Sequence, residues 1–243
     1  KFQKRTIDIV YTKDFLSQPR ESPWGKTQRE QKEGLEFSIE EFDEINTYCI
    51  NKKIDWFASS WDEKSQILMR KYDFPFNKIA SAMANNESFI DLVASEKKPT
   101  FASTGMIEIS EINNLISIFK KYNCPIMLMH TVSTYPSKLE DLNLNCIKTL
   151  KQKYNIPIGY SGHEVSVSPS IIAATLGASA VERHITLDRA MYGSDQAASL
   201  QPDGFRQLTN ILRNVPNILG DGQKRILKEE EAIASKLRYW LDK

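Results

Sequence analysis

The sequence predicts an α/β fold and, within that class, a barrel of the eight-stranded (β/α)8, or TIM, type. Short apolar segments alternate with amphipathic ones, at a spacing of about 22 to 31 residues that corresponds to one strand–helix unit. Small polar or charged residues follow strand after strand, as expected where parallel strands bring their C-terminal ends to one catalytic face. The competing fold, a doubly wound open sheet, is disfavoured because no Gly-x-Gly-x-x-Gly fingerprint occurs.

The predicted strands are short runs of mostly apolar residues. Six lie at residues 55–59, 78–81, 100–103, 125–130, 156–160 and 180–185, and residues 1–4 make a seventh candidate. Such near-continuous apolar runs are typical of parallel strands covered on both faces. Seven strands are one fewer than the number that closes this type of barrel.

The predicted helices lie between these strands. The first, residues 38–52, begins with Ser38 and has Glu41 three residues later, which is the pattern of a capping box. Another ends before Gly177, a residue that favours the C-terminal cap. The helix before Gly177 spans residues 168–176, and the remaining helices are predicted at residues 63–72, 87–96, 110–122, 142–154 and 203–213.

The composition excludes several classes of protein. Lys and Arg number 32 against 31 Asp and Glu, so the net charge of +1 argues against a nucleic-acid-binding surface. The longest apolar runs are far shorter than the roughly 18 residues of a membrane span, and the first residues contain no signal-peptide core. Three widely spaced cysteines argue against a disulfide framework or a cysteine zinc site. We expect a cytoplasmic protein without nucleic-acid or membrane partners.

Two of the three histidines follow neighbouring predicted strands, which indicates a metal site. His163 lies in Gly-Tyr-Ser-Gly-His-Glu and His184 in Val-Glu-Arg-His-Ile-Thr. At adjacent strand ends, two imidazoles can hold one divalent metal, with carboxylate or water completing the shell; Mn, Fe, Co or Zn suits such ligands. The alternative is that each is a hydrogen-bonded core histidine. His130, inside an apolar strand, is interpreted as a packing or supporting residue.

Small hydroxyl residues at several strand ends form a second pattern, together with Lys78 and Lys1. Hydroxyl, ammonium and backbone N–H groups are the donors that bind a phosphate dianion. Gly105 would let the backbone approach such a ligand closely. A single serine at a strand end can be only a turn residue, so the prediction depends on the collection. The serines concerned lie in Ser59-Ser60 and at Ser81, Ser103, Ser133 and Ser161.

The segment after the last predicted strand contains Asp195, in Tyr-Gly-Ser-Asp-Gln. A loop at this end of a barrel faces the substrate, so Asp195 is either a substrate-binding residue or a turn-forming one. Trp24 is either a lid residue or a packing residue.

Six motifs occur in an order and at a spacing that resemble one enzyme family. They are Lys-Phe-Gln at 1–3, Lys-Ile-Ala-Ser at 78–81, Ser-Thr-Gly-Met at 103–106, His-Thr-Val-Ser-Thr-Tyr-Pro at 130–136, Gly-Tyr-Ser-Gly-His at 159–163 and Glu-Arg-His-Ile-Thr at 182–186. Together they resemble the sialic acid synthase family, whose members condense phosphoenolpyruvate with an N-acyl hexosamine to make a nine-carbon keto-acid sugar. The family fold is a TIM barrel followed by a small antifreeze-like domain.

The resemblance implies roles for individual residues. His163 and His184 would bind a divalent metal, typically Mn with Mg or Co as alternatives, and would be catalytic together with Lys78 and Glu182. Residues that would line the phosphoenolpyruvate pocket are Lys1, Ser60, Lys78, Ser81, Ser103, Ser133 and Ser161, and those that would face the sugar are Gln3, Tyr135 and Asp195. The full-length protein would be a homodimer in which the second domain reaches the neighbouring barrel.

The chain departs from the family pattern at several positions. It has Ala82-Met83 where many members have glycine and an acidic residue, Ser133 where some have asparagine, and Trp61 where some have proline. The family's first-strand motif and its antifreeze-like domain have no counterpart in the sequence. We therefore predict that residues 1–220 form a barrel lacking its first βα unit, and that residues 221–243 are a connector toward the second domain.

The resemblance also implies a mechanism. The metal would polarise the aldehyde of the open-chain sugar, the methylene carbon of phosphoenolpyruvate would attack it, and water would capture the cationic enol carbon before phosphate leaves. Lys78, Lys1 and the serines would hold the anionic groups in line. With Met83 in place of an acid, Glu182 or metal-bound water would be the proton donor. The alternatives are a synthase for legionaminate, pseudaminate or a surface-polysaccharide sugar, and a non-catalytic truncated barrel.

Overall fold

The computed structural model describes residues 1–238 and 240, and it confirms an α/β fold built on parallel strands. The strands are β1 (Phe2–Lys4), β2 (Pro19–Ser22), β3 (Gly25–Thr27), β4 (Ala58–Ser60), β5 (Asn77–Ile79), β6 (Thr100–Ser103), β7 (Ile126–Thr131), β8 (Ile158–Gly162) and β9 (Val181–Arg183). The helices are α1 (Ile7–Val10), α2 (Lys13–Ser17), α3 (Gln28–Gly34), α4 (Ile39–Lys52), α5 (Glu63–Met69), α6 (Glu87–Ser95), α7 (Ile109–Lys121), α8 (Cys146–Tyr154), α9 (Ser168–Thr175), α10 (Pro202–Leu219) and α11 (Lys228–Leu237).

The parallel strands follow one another in chain order around a curled sheet. Strands β5 to β9 form a continuous five-stranded parallel sheet, and β1 pairs in parallel with β4. The Ser59 hydroxyl donates to the Lys78 carbonyl at 3.3 Å, which links β4 to β5. Lys1 and Glu182 meet at 2.9 Å, so the first and last strands approach each other. The result is a half-barrel whose two ends curve toward one another.

An open seam separates β9 from β1. Within the described residues, β1 pairs only with β4 and β9 only with β8. A cavity of about 630 Å³ lies in this seam, and its lining includes apolar side chains such as Phe57, Phe101 and Met129.

Strand alternation decides which side chains enter the core beneath the helices. Ile79, Ala102, Leu128 and Ile158 occupy matching register positions on four neighbouring strands, and all are fully buried. They pack in one apolar cluster with helical residues such as Phe119. Because successive side chains of a strand point to opposite faces, the residues between them point into the curled sheet.

Most helix predictions hold, with shifted ends. The capping box of Ser38 and Glu41 is present at the start of α4, and Gly177 follows α9 with a positive φ of 97°. The predicted end of the last helix at residue 213 is wrong, since α10 continues to Leu219 and buries Val215. The hairpin of β2 and β3 and the short helices α1 to α3 lie in a region for which no strand or helix was predicted.

The predicted connector, residues 221–243, is only partly described. It contains α11, an exposed helix with three glutamates in its first turn. Residues 239 and 241–243 lie outside the described residues. Among the described helices, none combines the length and the apolar character needed to cross a membrane.

The row of four buried strand residues, Ile79, Ala102, Leu128 and Ile158, predicts that shortening one of them strongly lowers the stability of the fold. We expect Leu128→Ala to lower the free energy of unfolding by about 2–5 kcal/mol, because a fully buried leucine leaves a cavity that its neighbours fill only partly. Urea unfolding monitored by circular dichroism measures this. Leu187→Ala is the matched control, since Leu187 is 78% exposed, and an equal loss in both variants would contradict the predicted role of the row.

Candidate active site

A small polar cavity of about 150 Å³ lies at the C-terminal ends of the parallel strands. It brings together most of the residues predicted from the sequence. Those lining it are Lys1, Gln3, Lys78, Ser81, Ser103, Ser133, Tyr135, Ser161, His163, Glu182 and His184. Asp195 does not line this cavity but lines the adjoining one in the seam, which shares Gln3, Glu182 and His184 with it.

Ser60 is a predicted site residue that lines neither of these two cavities. Its neighbours on either side, Ser59 and Trp61, line the cavity instead, because alternate residues of β4 point inward. The Ser60 hydroxyl is buried and has no hydrogen-bond partner among the described residues. The Trp61 indole N–H is likewise buried without one. Thr131, at the end of β7, is a further lining residue, which belongs to the motif at 130–136 but was assigned no role from the sequence.

Glu182 is the centre of a largely buried charge cluster. Its carboxylate lies 2.9 Å from the Lys1 ammonium and 3.9 Å from the Lys78 ammonium, and it accepts a hydrogen bond from the Ser161 hydroxyl at 3.1 Å. Burial alone would raise the pKa of this carboxyl group, but the two lysines and the hydrogen bonds outweigh burial and lower the pKa to about 2. A carboxyl group with this pKa carries no proton at neutral pH, so the geometry argues against Glu182 as the proton donor.

Lys78 is almost completely buried, and its ammonium group points at hydroxyl and carbonyl oxygens. It donates to the Ser103 hydroxyl at 2.6 Å and to its neighbour's carbonyl, Ile79 O, at 3.0 Å. Burial lowers the pKa of Lys78 to about 8, with Glu182 opposing the shift and Lys1 adding to it. The group is therefore mostly protonated at neutral pH and titrates just above it.

Close contact between strand ends explains the glycine of the Ser-Thr-Gly motif. The Gly105 N–H donates to the Ser81 hydroxyl at 3.2 Å. A Cβ atom at this position would lie 2.2 Å from the Ser133 hydroxyl oxygen and 2.8 Å from that of Ser81. Only glycine allows the loop after β6 to meet both hydroxyl groups.

The two histidines predicted as metal ligands lie side by side, with ring centroids 5.3 Å apart. The Nδ1 of His163 is 2.7 Å from the Val132 carbonyl, which fixes the ring, and its Nε2 is 3.1 Å from the Tyr135 hydroxyl. The Nδ1 of His184 lies 3.5 Å from the Asp195 carboxylate. Burial lowers the pKa of both imidazoles, which favours the neutral form that binds metals.

The two histidines supply some, but not all, of the ligands that a divalent metal needs. Within the described residues, no group of three or more His, Cys, Asp or Glu is arranged to hold an ion. A histidine that gives its Nδ1–H to a backbone carbonyl presents the Nε2 lone pair as a ligand, and such support is common at metal sites. His163 and His184 therefore fit a site with two protein imidazoles and further ligands from water or substrate.

A buried ion pair on the outer side of the same strands supports both histidines. The Arg183 guanidinium lies 2.9 Å from Glu164 Oε1, and both side chains are almost fully inaccessible. The Tyr160 hydroxyl donates to Glu164 Oε2 at 2.8 Å, and Arg183 also donates to the Ser170 hydroxyl at 3.1 Å. Since Glu164 follows His163 and Arg183 precedes His184, this pair ties the ends of β8 and β9 together. The sequence alone contained no signal for it beyond two charged residues in apolar surroundings.

Met83, the position that departs from the resembled family, lies outside the polar cavity. It packs against the apolar cluster and lines a separate groove of about 800 Å³ beside Trp61 and Tyr11. The structure therefore brings no acidic residue to the cavity from this loop.

Comparisons with known proteins agree on one family. The model of the NeuB family matches residues 1–224. The N-acetylneuraminate-9-phosphate synthase of Homo sapiens is 35% identical over 240 residues, which cover 98% of this chain and 67% of the relative. A pseudaminic acid synthase of Campylobacter jejuni is 36% identical over 174 residues, covering 71% of this chain and 51% of the relative. The N-acetylneuraminic acid synthetase of Leptospira borgpetersenii superposes with a TM-score of 0.78 at 30% identity, covering 90% of this chain and 78% of that structure.

The Glu164–Arg183 pair predicts a strong dependence of stability on either partner. We expect Arg183→Met to lower the free energy of unfolding by about 3–5 kcal/mol, because it leaves the Glu164 carboxylate buried and unpaired. Arg206→Met is the control, since the Arg206–Asp203 pair is exposed and such pairs contribute about 0–1 kcal/mol. Denaturant unfolding measures both, and equal small effects would contradict the prediction.

Proposed function

The chain belongs to the NeuB family, and on that premise we propose that it forms the catalytic barrel of a phosphoenolpyruvate-dependent synthase. This transferase would join phosphoenolpyruvate to an N-acyl amino-hexose and release phosphate, giving a nine-carbon keto acid of the sialic-acid type. The observation that carries the proposal is the polar cavity in which Lys1, Lys78 and Glu182 lie beside the histidine pair. This cavity and the adjoining seam cavity of about 630 Å³ together offer room for a sugar aldehyde and a multiply charged anion.

The lysine side of the cavity suits phosphoenolpyruvate. Two ammonium groups and one carboxylate leave one net positive charge in a mostly buried space. Three donors line this side: the Lys78 ammonium and the hydroxyl groups of Ser81 and Ser103. They would donate hydrogen bonds to the phosphate and carboxylate oxygens of the ligand. Such pre-arranged donors position the enol for attack without solvent rearrangement.

The histidine side suits the sugar aldehyde. His163 and His184 would hold a divalent metal, for which we favour Mn, with Mg or Co as alternatives. When bound, the metal would supply Lewis-acid polarisation of the aldehyde oxygen. Gln3, Tyr135 and Asp195 surround this side and would contact the sugar hydroxyl groups.

The chain's own groups have distinct tasks in the reaction. The new carbon–carbon bond joins the enol methylene to the aldehyde carbon, water adds to the cationic enol carbon, and the carbon–oxygen bond to phosphate breaks. Glu182, ionised and fixed by two lysines, would stabilise the transient positive charge. Burial raises the pKa of Tyr135 to about 12, so its hydroxyl keeps its proton and would donate a hydrogen bond to the developing alkoxide.

The product need not be N-acetylneuraminate itself. Relatives are named for 9-phosphorylated neuraminate, pseudaminate and legionaminate, so a synthase for legionaminate, pseudaminate or a surface-polysaccharide sugar is the second candidate. We further propose that the complete barrel has an eighth strand in the seam between β9 and β1, and that the full-length protein is a homodimer with a second domain after the connector.

The function is tested with the full-length protein, phosphoenolpyruvate, Mn²⁺ and N-acetylmannosamine. We expect phosphate release coupled to formation of a nine-carbon keto acid, and His163→Ala or His184→Ala should reduce turnover by about 100-fold or more, with weaker Mn²⁺ binding. His130→Gln is the matched control, because His130 bonds the Leu142 carbonyl in the core and does not line the cavity.

Two outcomes would overturn the proposal. No phosphate release with any N-acyl amino-hexose or its 6-phosphate would reject the synthase. Full turnover and Mn²⁺ binding in both alanine variants would reject the metal site while leaving the synthase in place.

The lowered pKa of Lys78 predicts that the affinity for phosphoenolpyruvate depends on pH. Because its pKa is lowered to about 8, the ammonium group is charged below this pH and neutral above it. The affinity should therefore be nearly constant around pH 7 and fall by up to about tenfold per pH unit above 8. Isothermal titration calorimetry between pH 7 and 10 measures it. Lys78→Arg, whose charge persists throughout this range, should give a flatter profile, and identical profiles would contradict the assignment.

A further inference from the structure

The turn after β6 holds a methionine in a backbone conformation that favours glycine. Met106 has a φ of 62°, in the left-handed region, where the Cβ atom of an L-residue crowds the following carbonyl oxygen. The glycine of the same turn, Gly105, does not adopt a positive φ. The turn therefore keeps a methionine at a position where glycine would be less strained.

Every other non-glycine residue with a positive φ in the described part of the chain has an ordinary structural reason for it. All six lie at or just after the C-terminal end of an α-helix or a short 3-10 helix, where a left-handed residue is a common cap. They are Lys53, Asp73, Lys97, Asn123, Asn143 and Asn155. Four of them are asparagine or aspartate, whose short polar side chains tolerate this conformation. Met106 follows a strand and is neither.

Core packing does not account for Met106 either. Its side chain is 69% exposed, and it belongs to neither apolar cluster of the described residues. A strained backbone conformation persists only when its surroundings fix it, and such residues concentrate at functional sites. The contacts of Gly105 with two serine hydroxyl groups fix the turn, and Met106 lines the polar cavity.

Met106 lies on the lysine side of that cavity. The glycine just before it lies between the hydroxyl groups of Ser81 and Ser133. Strand β6, which leads into the turn, ends at Ser103, the hydrogen-bond partner of Lys78. A methionine side chain is long, apolar and flexible, so it adapts to a ligand of irregular shape. Its position suits a side chain that covers an anion held by these donors.

Resting on the proposed function, we propose that Met106 is a substrate-binding residue that covers phosphoenolpyruvate in the cavity. Its side chain packs on the apolar part of the ligand and excludes bulk water from the hydrogen bonds donated by Lys78 and the serines. Excluding water strengthens such bonds, because the local dielectric constant falls. The protein thus retains a strained residue in this turn because its side chain improves binding.

The test measures phosphoenolpyruvate binding to the full-length protein by isothermal titration calorimetry, together with the melting temperature. M106G should raise the melting temperature by about 2–4 °C, since glycine relieves the strain, and weaken the affinity for phosphoenolpyruvate at least fivefold. M106L keeps the volume and the strain, so it should bind within twofold of the unaltered protein. In steady-state assays, M106G should raise the KM for phosphoenolpyruvate and leave the KM for N-acetylmannosamine within twofold.

K53G is the matched control for the relief of backbone strain. Lys53 also has a positive φ, of 54°, and it is exposed at the end of α4, outside both cavities of the site. This variant should raise the melting temperature by a similar amount and leave the affinity for phosphoenolpyruvate unchanged.

The outcomes separate the two proposals. If the unaltered protein does not bind phosphoenolpyruvate, the proposed function fails, and the role of Met106 fails with it. If it binds and M106G binds equally well, or if M106G loses affinity and stability together, the role of Met106 is overturned and the synthase stands. Should M106G fail to fold, M106A decides the question: it removes most of the side chain and keeps the strain, so the affinity should fall at least fivefold without a gain in melting temperature.

Discussion

The contact of the largely buried Glu182 carboxylate with two lysines is the interaction on which the rest of the site depends. Two ammonium groups in a mostly buried space would repel each other and would each lose hydration, at a cost of several kcal/mol per unpaired charge. Glu182 offsets this by lying between Lys1 and Lys78, and Ser161 occupies another of its lone pairs. The contact also joins the first and last strands across the seam. What remains is a single net positive charge, which attracts an anion without making the empty cavity prohibitively unstable.

Strand alternation lets the same short strands build both the core and the site. On β9, Glu182 faces the cavity, Arg183 faces outward to Glu164, and the following His184 faces the cavity again. The outward ion pair thus fixes the backbone at the positions that carry the inward groups. Ile79 and Lys78 divide the two tasks in the same way on β5, one in the apolar cluster and the other in the cavity. A substitution on either face is therefore expected to affect the other through the shared backbone.

The sequence predicts the strand order and most of the cavity because each motif sits at a strand end, and parallel strands bring their ends together. It fails where one residue of register matters. Choosing Ser60 over Ser59 requires knowing which residue of β4 points inward, and a shift of one residue reverses the face. The sequence also does not predict that Glu182 is ionised, because the two lysines that lower its pKa are distant from it along the chain. Short, irregular segments such as the β2–β3 hairpin carry too weak a periodic signal to be predicted.

The strand ends, which would carry the bond-forming groups of the proposed synthase, and the rim made by β2, β3 and α3 at the sugar side have separate supports in the fold. Lys78, Glu182 and the histidines lie on or next to strands that are packed on both sides, so their relative positions are set by the core. Arg20 and Lys32 lie on a hairpin and a short helix whose contacts are with other rim residues, chiefly Tyr192 and Tyr11. Changes at the rim therefore leave the buried cluster of charges and its supporting ion pair intact. In the proposed synthase, a change at the rim would alter the sugar that is accepted and leave the bond-forming groups in place, because the two sets of residues have separate backbone supports.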